Sequence, residues 1–245
     1  MPSTSRWQAA QKYEQAFWEG VARQIVAGTT GHLDGTYQWK AQEMERHLQG
    51  VLPEEDRAKR KVLEVGCGPV GIVGFLSWGE RHAVDPLNDF YQANEALSRF
   101  RDPKVNYQTA MGEELPFEDK SFDLVLLQNV LDHVKEADRM LREIHRVLRG
   151  DGLFYMTVNV RKPWGSTLHA LLSRLLIDKG HPYSFTLQGI REFLHHQGFS
   201  IQREWHDDYL EARTIDRRSP ALKDKVKGYS GLSEFVFYSV CTKIR

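Results

Sequence analysis

The run Val62-Leu63-Glu64-Val65-Gly66-Cys67-Gly68-Pro69-Val70-Gly71 leaves this chain few folds to choose from. Lys61 to Val65 is short, largely apolar and contains β-branched residues, which predicts a buried strand. The glycines that follow let the backbone turn sharply and approach a ligand with no Cβ in the way. From about Val70 to Trp78 the apolar spacing predicts a helix whose first N–H groups point back into the turn. Strand, glycine turn and helix together describe a nucleotide-type cofactor site at the carboxyl end of a first parallel strand.

Gly66, Gly68 and Gly71 satisfy the dinucleotide pattern G-x-G-x-x-G, which alone is a weak signal because glycine turns after strands are common. Glu64 sits inside the strand, where a carboxylate could reach a cationic amine. About twenty residues on, Arg81-His82-Ala83-Val84-Asp85 ends a second strand in an acid placed to accept hydrogen bonds from ribose hydroxyls. That acid suits either a dinucleotide or another adenosyl cofactor. The segments Gly112-Glu113-Glu114-Leu115-Pro116-Phe117 and Ser121 to Gln128 separate the two.

With those segments in place, VLEVGCGPVG, AVDP, GEELPFEDKSFDLVLLQNVLDHV and LREIHRVLRGDGLFYMTVN resemble, in order and spacing, the motifs of class I S-adenosylmethionine-dependent methyltransferases. The likeness is to the small-molecule branch and runs from about Lys61 to Asn159. It implies S-adenosyl-L-methionine as cofactor, with Glu64, Gly66, Cys67 and Gly68 holding the methionine portion. Asp85 would take the ribose hydroxyls, and Pro86 and Leu87 would pack on the adenine. Met111-Gly112-Glu113 matches the adenine-facing segment, but Met111 stands where many relatives carry an acid, which shifts that contact to backbone groups or Glu113. Gln128 and Asn129, after the fourth strand, would offer backbone carbonyls to the cofactor's ammonium.

Methyl transfer displaces a sulfonium-bound carbon in line, so the protein mainly positions the nucleophile and removes its proton where needed. Two histidines are candidates for that base. His133 follows the fourth strand, and His181 precedes Pro182-Tyr183-Ser184-Phe185-Thr186, in a loop entering a helix that Thr186 can cap. Each also has a packing or loop-forming reading. Some methyltransferases bind a divalent cation through E-x-x-E-H at this place. Here Gln128 replaces the first carboxylate, so no metal is expected. His195-His196, at a helix end, reads as favourable C-terminal charge.

The rest of the chain fits an α/β doubly wound, seven-stranded, mostly parallel sheet of the Rossmann-like methyltransferase kind, its last strand antiparallel by resemblance. Strands are expected near 61–65, 81–85, 104–108, 122–128, 152–159, 199–205 and 234–243, and core helices near 70–78, 89–100, 136–149 and 188–197. Gly150-Asp151-Gly152 reads as the turn before the fifth strand. Residues 1–50 read as an N-terminal helical cap, broken at Gly28 to Gly35, and 51–245 as the methyltransferase domain. An insertion at about 161–180 contains an apolar helix from Leu168 to Ile177, and a charged, lid-like loop spans about 207–232. Tyr37, Trp39, Trp164 and Tyr183 are substrate-side candidates. Thirty-three basic and thirty-three acidic residues balance, which argues against nucleic acid as the main partner. Cys67 and Cys241 suggest neither disulfides nor a metal knuckle, so a cytoplasmic protein without membrane insertion is expected. The reading is methyl transfer to a small-molecule acceptor, at a hydroxyl oxygen of a sugar, glycan, quinone or secondary metabolite. Its rivals are an NAD(P)-dependent oxidoreductase and a non-catalytic scaffold of the same fold. The oligomeric state is not legible.

Overall fold

The computed structural model of the protein describes residues 4–29, 33–167 and 183–244. A seven-stranded sheet in the order β3-β2-β1-β4-β5-β7-β6 forms its centre. The strands are β1 Lys61–Val65, β2 Glu80–Asp85, β3 Asn106–Thr109, β4 Phe122–Gln128, β5 Leu148–Val160, β6 Phe199–His206 and β7 Phe235–Lys243. All pairings from β3 to β5 are parallel, whereas β7 runs antiparallel to both β5 and β6. The chain builds outward through β1, β2 and β3, then returns to place β4 on the other side of β1. The resulting switch point, at the carboxyl ends of β1 and β4, is where such sheets open a ligand crevice.

Alternation along β1 and β4 sorts side chains between two cores. Leu63, Val65, Val125 and Leu127 join the core on one face, Val62, Leu124 and Leu126 that on the other. Glu64 falls between Leu63 and Val65 and so emerges on the Val62 face. On the opposite face, helix α5 (Ala137–Val147) buries Ala137, Met140, Leu141, Ile144 and Val147, an apolar stripe at helical spacing.

Helix α2 (Leu33–Leu48) covers the Glu64 face with Ala41, Met44 and Leu48. Its last turn reaches the far edge of the sheet. His47 stacks on Trp205 at 4.0 Å between ring centroids, and its Nδ1 lies 3.1 Å from the Tyr155 hydroxyl. Arg203 Nη1 donates to the Gln49 carbonyl. Burial pushes the His47 imidazole down to about 4, so it packs as a neutral ring. Helix α1 (Thr4–Val26) is held by a smaller cluster of Ala22 and Ile25 with Tyr91 and Leu97, Trp18 lying edge-on to Tyr91.

Several elements depart from the sequence expectation. Residues 70–78 do not form an α-helix but one 3-10 turn, Ile72–Phe75. Gly71 enters it at φ 81°, and Gly74 with β-branched Ile72 and Val73 gives little helix propensity. The helix expected at 89–100 is split into α3 (Asn88–Ala93) and α4 (Glu95–Ser98), because Asn94 adopts extended dihedrals. β5 starts directly at Leu148, so Gly150-Asp151-Gly152 lies within the strand, beside a register shift between Phe122 and Leu124. Gly35 lies inside α2 rather than in the break before it.

The segment expected as a loop at 207–232 folds into two helices. After α6 (Leu187–His196), capped by Thr186 Oγ1 on the Gly189 N–H, come α7 (Tyr209–Arg218) and α8 (Leu222–Ser230). Asp208 caps α7 by accepting from the N–H groups of Leu210 and Glu211, and Gly231 ends α8 in the left-handed conformation. In the insertion, residues 163–167 are helical. The apolar helix predicted from Leu168 to Ile177 lies outside the described residues.

Candidate functional site

Past Val65 the chain turns through Gly66 (φ 71°) and Gly68 (φ 60°), in the left-handed region that only glycine enters cheaply. A Cβ on Gly66 would stand 2.5 Å from Cγ2 of Val130, and one on Gly68 would stand 2.9 Å from the Tyr37 hydroxyl. The turn is tied to the end of β2, where the N–H groups of Gly66 and Cys67 both donate to the Val84 carbonyl. Asp85 completes the tie. Its Oδ2 accepts from the Gly68 N–H at 2.9 Å and its Oδ1 from the Leu87 N–H at 2.8 Å, so one carboxylate fixes the glycine turn and the start of α3.

From outside, Arg101 braces the same turn. Its Nε donates to the Pro69 carbonyl at 2.7 Å and Nη1 to Asn88 Oδ1 at 2.8 Å, while its guanidinium lies 4.3 Å from the centre of the Tyr107 ring. Tyr107 in turn donates its hydroxyl to the Val70 carbonyl.

Two buried carboxylates face the space in front of this turn. Glu64, 1% exposed, accepts the Val73 N–H at Oε2, and burial raises its carboxyl to about 7. Asp85, 7% exposed, is raised by burial to about 6, against the pull of the Leu87 and Gly68 N–H groups. Both can accept a cation or hydroxyl donors that water cannot fully supply there.

The cavity enclosed here measures about 230 Å³. Every residue assigned to the cofactor by sequence lines it: Glu64, Gly66, Cys67, Gly68, Asp85, Pro86, Leu87, Met111, Gly112, Glu113, Gln128 and Asn129. Tyr37 and His133 line it as well. Burial, then the Glu64 charge, push the Tyr37 phenol well above its usual range, so it stays a neutral hydroxyl. After β4, Asn129 turns at φ 53°, a conformation asparagine tolerates better than most residues, with its N–H donating to the Thr157 carbonyl. His133 comes next on this wall, its Nε2 3.8 Å from Oδ1 of buried Asp132.

Other expectations place differently. Glu113 Oε1 accepts from the N–H groups of Lys135 and Glu136, which commits that oxygen to the approach into α5. Trp39 does not line the cavity and is 52% exposed, because two residues along a helix turn it away from the Tyr37 face. Trp164 is half exposed and lies against Gly231. Tyr183 spends its hydroxyl on the Lys135 carbonyl at 3.0 Å. His181 lies outside the described residues. Among the described residues no group of three or more His, Cys, Asp or Glu side chains is placed to hold a metal ion, and no helix is long and apolar enough to cross a membrane.

The cavity also contains residues the sequence reading did not single out for it. Ala10, Gln11, Glu14 and Trp18 come from α1, and Lys40 from α2. Lys40 was findable, lying three residues after Tyr37 on the same helix face. Arg101 carries no local signal, because its partners are brought to it by tertiary folding.

Residues 63–156 match a family described as a methyltransferase domain. Over 101 residues the chain is 32% identical to the ubiquinone/menaquinone biosynthesis C-methyltransferase UbiE of Bartonella tribocorum, a match covering 37% of this chain and 39% of that protein. Over 98 residues it is 35% identical to the probable S-adenosylmethionine-dependent methyltransferase MT3114 of Mycobacterium tuberculosis, covering 40% and 35%. The chain thus spans well under half the length of these curated relatives. A solved geranyl diphosphate C-methyltransferase from Streptomyces coelicolor superposes with a TM-score of 0.63 at 13% identity, covering 88% of this chain and 84% of that one. That last likeness is one of fold.

Proposed function

Because the chain belongs to the class I S-adenosylmethionine-dependent methyltransferases, we propose that it moves the methyl group of that cofactor to a small-molecule acceptor, at a hydroxyl oxygen. The nicotinamide reading of the glycine turn has no support from this family membership. The residues fit the cofactor. A cradle that a Cβ at Gly66 or Gly68 would fill leads to two buried carboxylates and the apolar Pro86, Leu87 and Met111. Glu64 would take the ammonium, Asp85 the ribose hydroxyls, and the apolar residues the adenine. When bound, the cofactor supplies the electrophilic methyl.

The observation that carries the acceptor reading is His133 on the wall of the cavity that also holds Glu64 and Asp85. An imidazole there can take a proton from an acceptor hydroxyl at neutral pH. Asp132 Oδ1 lies 3.8 Å from its Nε2, where it can help orient the ring. A second reading, methylation at carbon of an electron-rich ring, is favoured by the similarity to a quinone C-methyltransferase. It uses the same base, since deprotonating a ring hydroxyl raises the nucleophilicity of the ring carbon.

The test offers S-adenosylmethionine with phenols, hydroquinones and free sugars, and locates the new methyl by mass spectrometry and NMR. We expect an O-methyl product, His133→Ala turnover reduced by roughly 10²–10⁴, and S-adenosylhomocysteine affinity nearly unchanged. A C-methyl product selects the second reading. An N-methyl product, or undiminished His133→Ala turnover, removes the histidine argument.

A further inference from the structure

The wall of the cavity carries charge of unequal sign. Glu14, Glu64, Asp85 and Glu113 contribute carboxylates, while Lys40 is the only lysine or arginine among its described residues. Such a wall attracts the sulfonium and ammonium of S-adenosylmethionine and repels its carboxylate. Ammonium and carboxylate sit on one carbon of that ligand, so the partner for the second must lie near the partner for the first.

Lys40 meets this requirement. Its charge acts on Glu64, and it projects from the α2 face that also carries Tyr37, its Nζ 5.8 Å from the centre of the Tyr37 ring. It makes no hydrogen bond or ion pair with a described residue. Burial lowers its pKa and the Glu64 charge opposes that shift, as befits an ammonium partly withdrawn from water without a bonded anion. A carboxylate placed there would form a charge-assisted hydrogen bond with it. The residues that match the family begin at 63, so that match assigns Lys40 no role.

We propose that Lys40 binds the carboxylate of the cofactor's methionine portion and thereby makes the site selective for adenosyl ligands that carry an amino acid. The proposal rests on the S-adenosylmethionine reading above. Glu64 and Lys40 divide the zwitterion between a strand end and a helix, so the cofactor itself draws α2 onto β1.

The experiment is isothermal titration of the full chain with S-adenosylhomocysteine and with its decarboxylated analogue, S-adenosyl-3-thiopropylamine. Wild type, Lys40→Met and Lys40→Arg are compared, each checked by circular dichroism. Wild type should prefer the intact ligand by about 10- to 100-fold, the worth of one hydrogen bond between charged groups. Lys40→Met should erase that preference while leaving the affinity for the analogue within about twofold, and Lys40→Arg should restore most of it. A preference that survives in Lys40→Met overturns the proposal. So does an equal loss for both ligands, or a wild type that does not discriminate. If wild type binds neither ligand, the cofactor reading itself fails and takes this one with it.

Discussion

Glu64 is costly where it stands. It is 1% exposed, takes one N–H from Val73 and carries a carboxyl raised to about 7. A group whose folded pKa lies above its unfolded value stabilises the fold fully below the unfolded value, and that contribution is lost as pH rises through the folded one. For Glu64 the window runs from about 4.5 to about 7. Without ligand, Glu64→Gln should therefore melt higher than wild type at pH 8, by the equivalent of about 3 kcal/mol, while the two converge below about pH 4.5. The Gln carbonyl can keep the Val73 bond. Cofactor affinity should show the reverse, rising in wild type as pH passes 7 and the carboxylate ionises to meet an ammonium, and being low and flat in the variant. Differential scanning fluorimetry across pH, with and without S-adenosylhomocysteine, reads both. A variant that melts lower at pH 8 would mean the ionised carboxylate stabilises the empty protein. Glu64 and Asp85 were legible because an acid inside a strand or at its end, beside glycines, has a local pattern. Arg101 was not, since it reaches Pro69 across thirty-two positions of sequence.

Among the elements, the 207–232 region shows what pattern reading can miss. Its charge density suggested a loop, yet Asp208 with Glu211 three residues later is the signature of a helix start. Helix α7 buries no residue among those described, which is why apolar periodicity never announced it. Its stability therefore rests heavily on its cap and its packing with α8. Asp208→Ala should cost about 1 kcal/mol, seen as faster tryptic cleavage at Arg213, Arg217 or Arg218, with S-adenosylhomocysteine affinity unaltered. Unchanged cleavage would show that α8 holds α7 without the cap. The predicted helix at 70–78 failed for the opposite reason. Its apolar spacing was sound, but Gly71 and Gly74 weaken a helix, and the Val73 N–H is taken by the Glu64 side chain. The sheet strands were the most legible elements, because strands buried on both faces read as near-continuous apolar runs.

At the scale of the molecule, the cavity is assembled from a sheet end and two helices that precede the family-matched residues. Helix α1 lines it through Ala10, Gln11, Glu14 and Trp18 but is otherwise fixed by a small cluster near Tyr91. Hydrogen exchange followed by mass spectrometry should show residues 10–26 slowed when S-adenosylhomocysteine binds, by more than the strands are, because their local stability is lower to begin with. Equal exchange with and without ligand would leave α1 no part in holding the cofactor. Helix α2 is anchored differently. Its buried face rests partly on Tyr155, Trp205, Tyr238 and Val240, and Arg203 holds the Gln49 carbonyl. During synthesis on the ribosome those partners emerge after α2 does, Tyr155 roughly a hundred residues later and Tyr238 and Val240 almost two hundred. The first half of the protein can make the glycine turn while still nascent and already offers Ile72–Phe75 for α2 to rest on. The His47 end of the wall that carries Tyr37 and Lys40, however, is not locked until Trp205 and Tyr238 arrive. Tight capture of the cofactor before β6 and β7 have paired is thereby disfavoured.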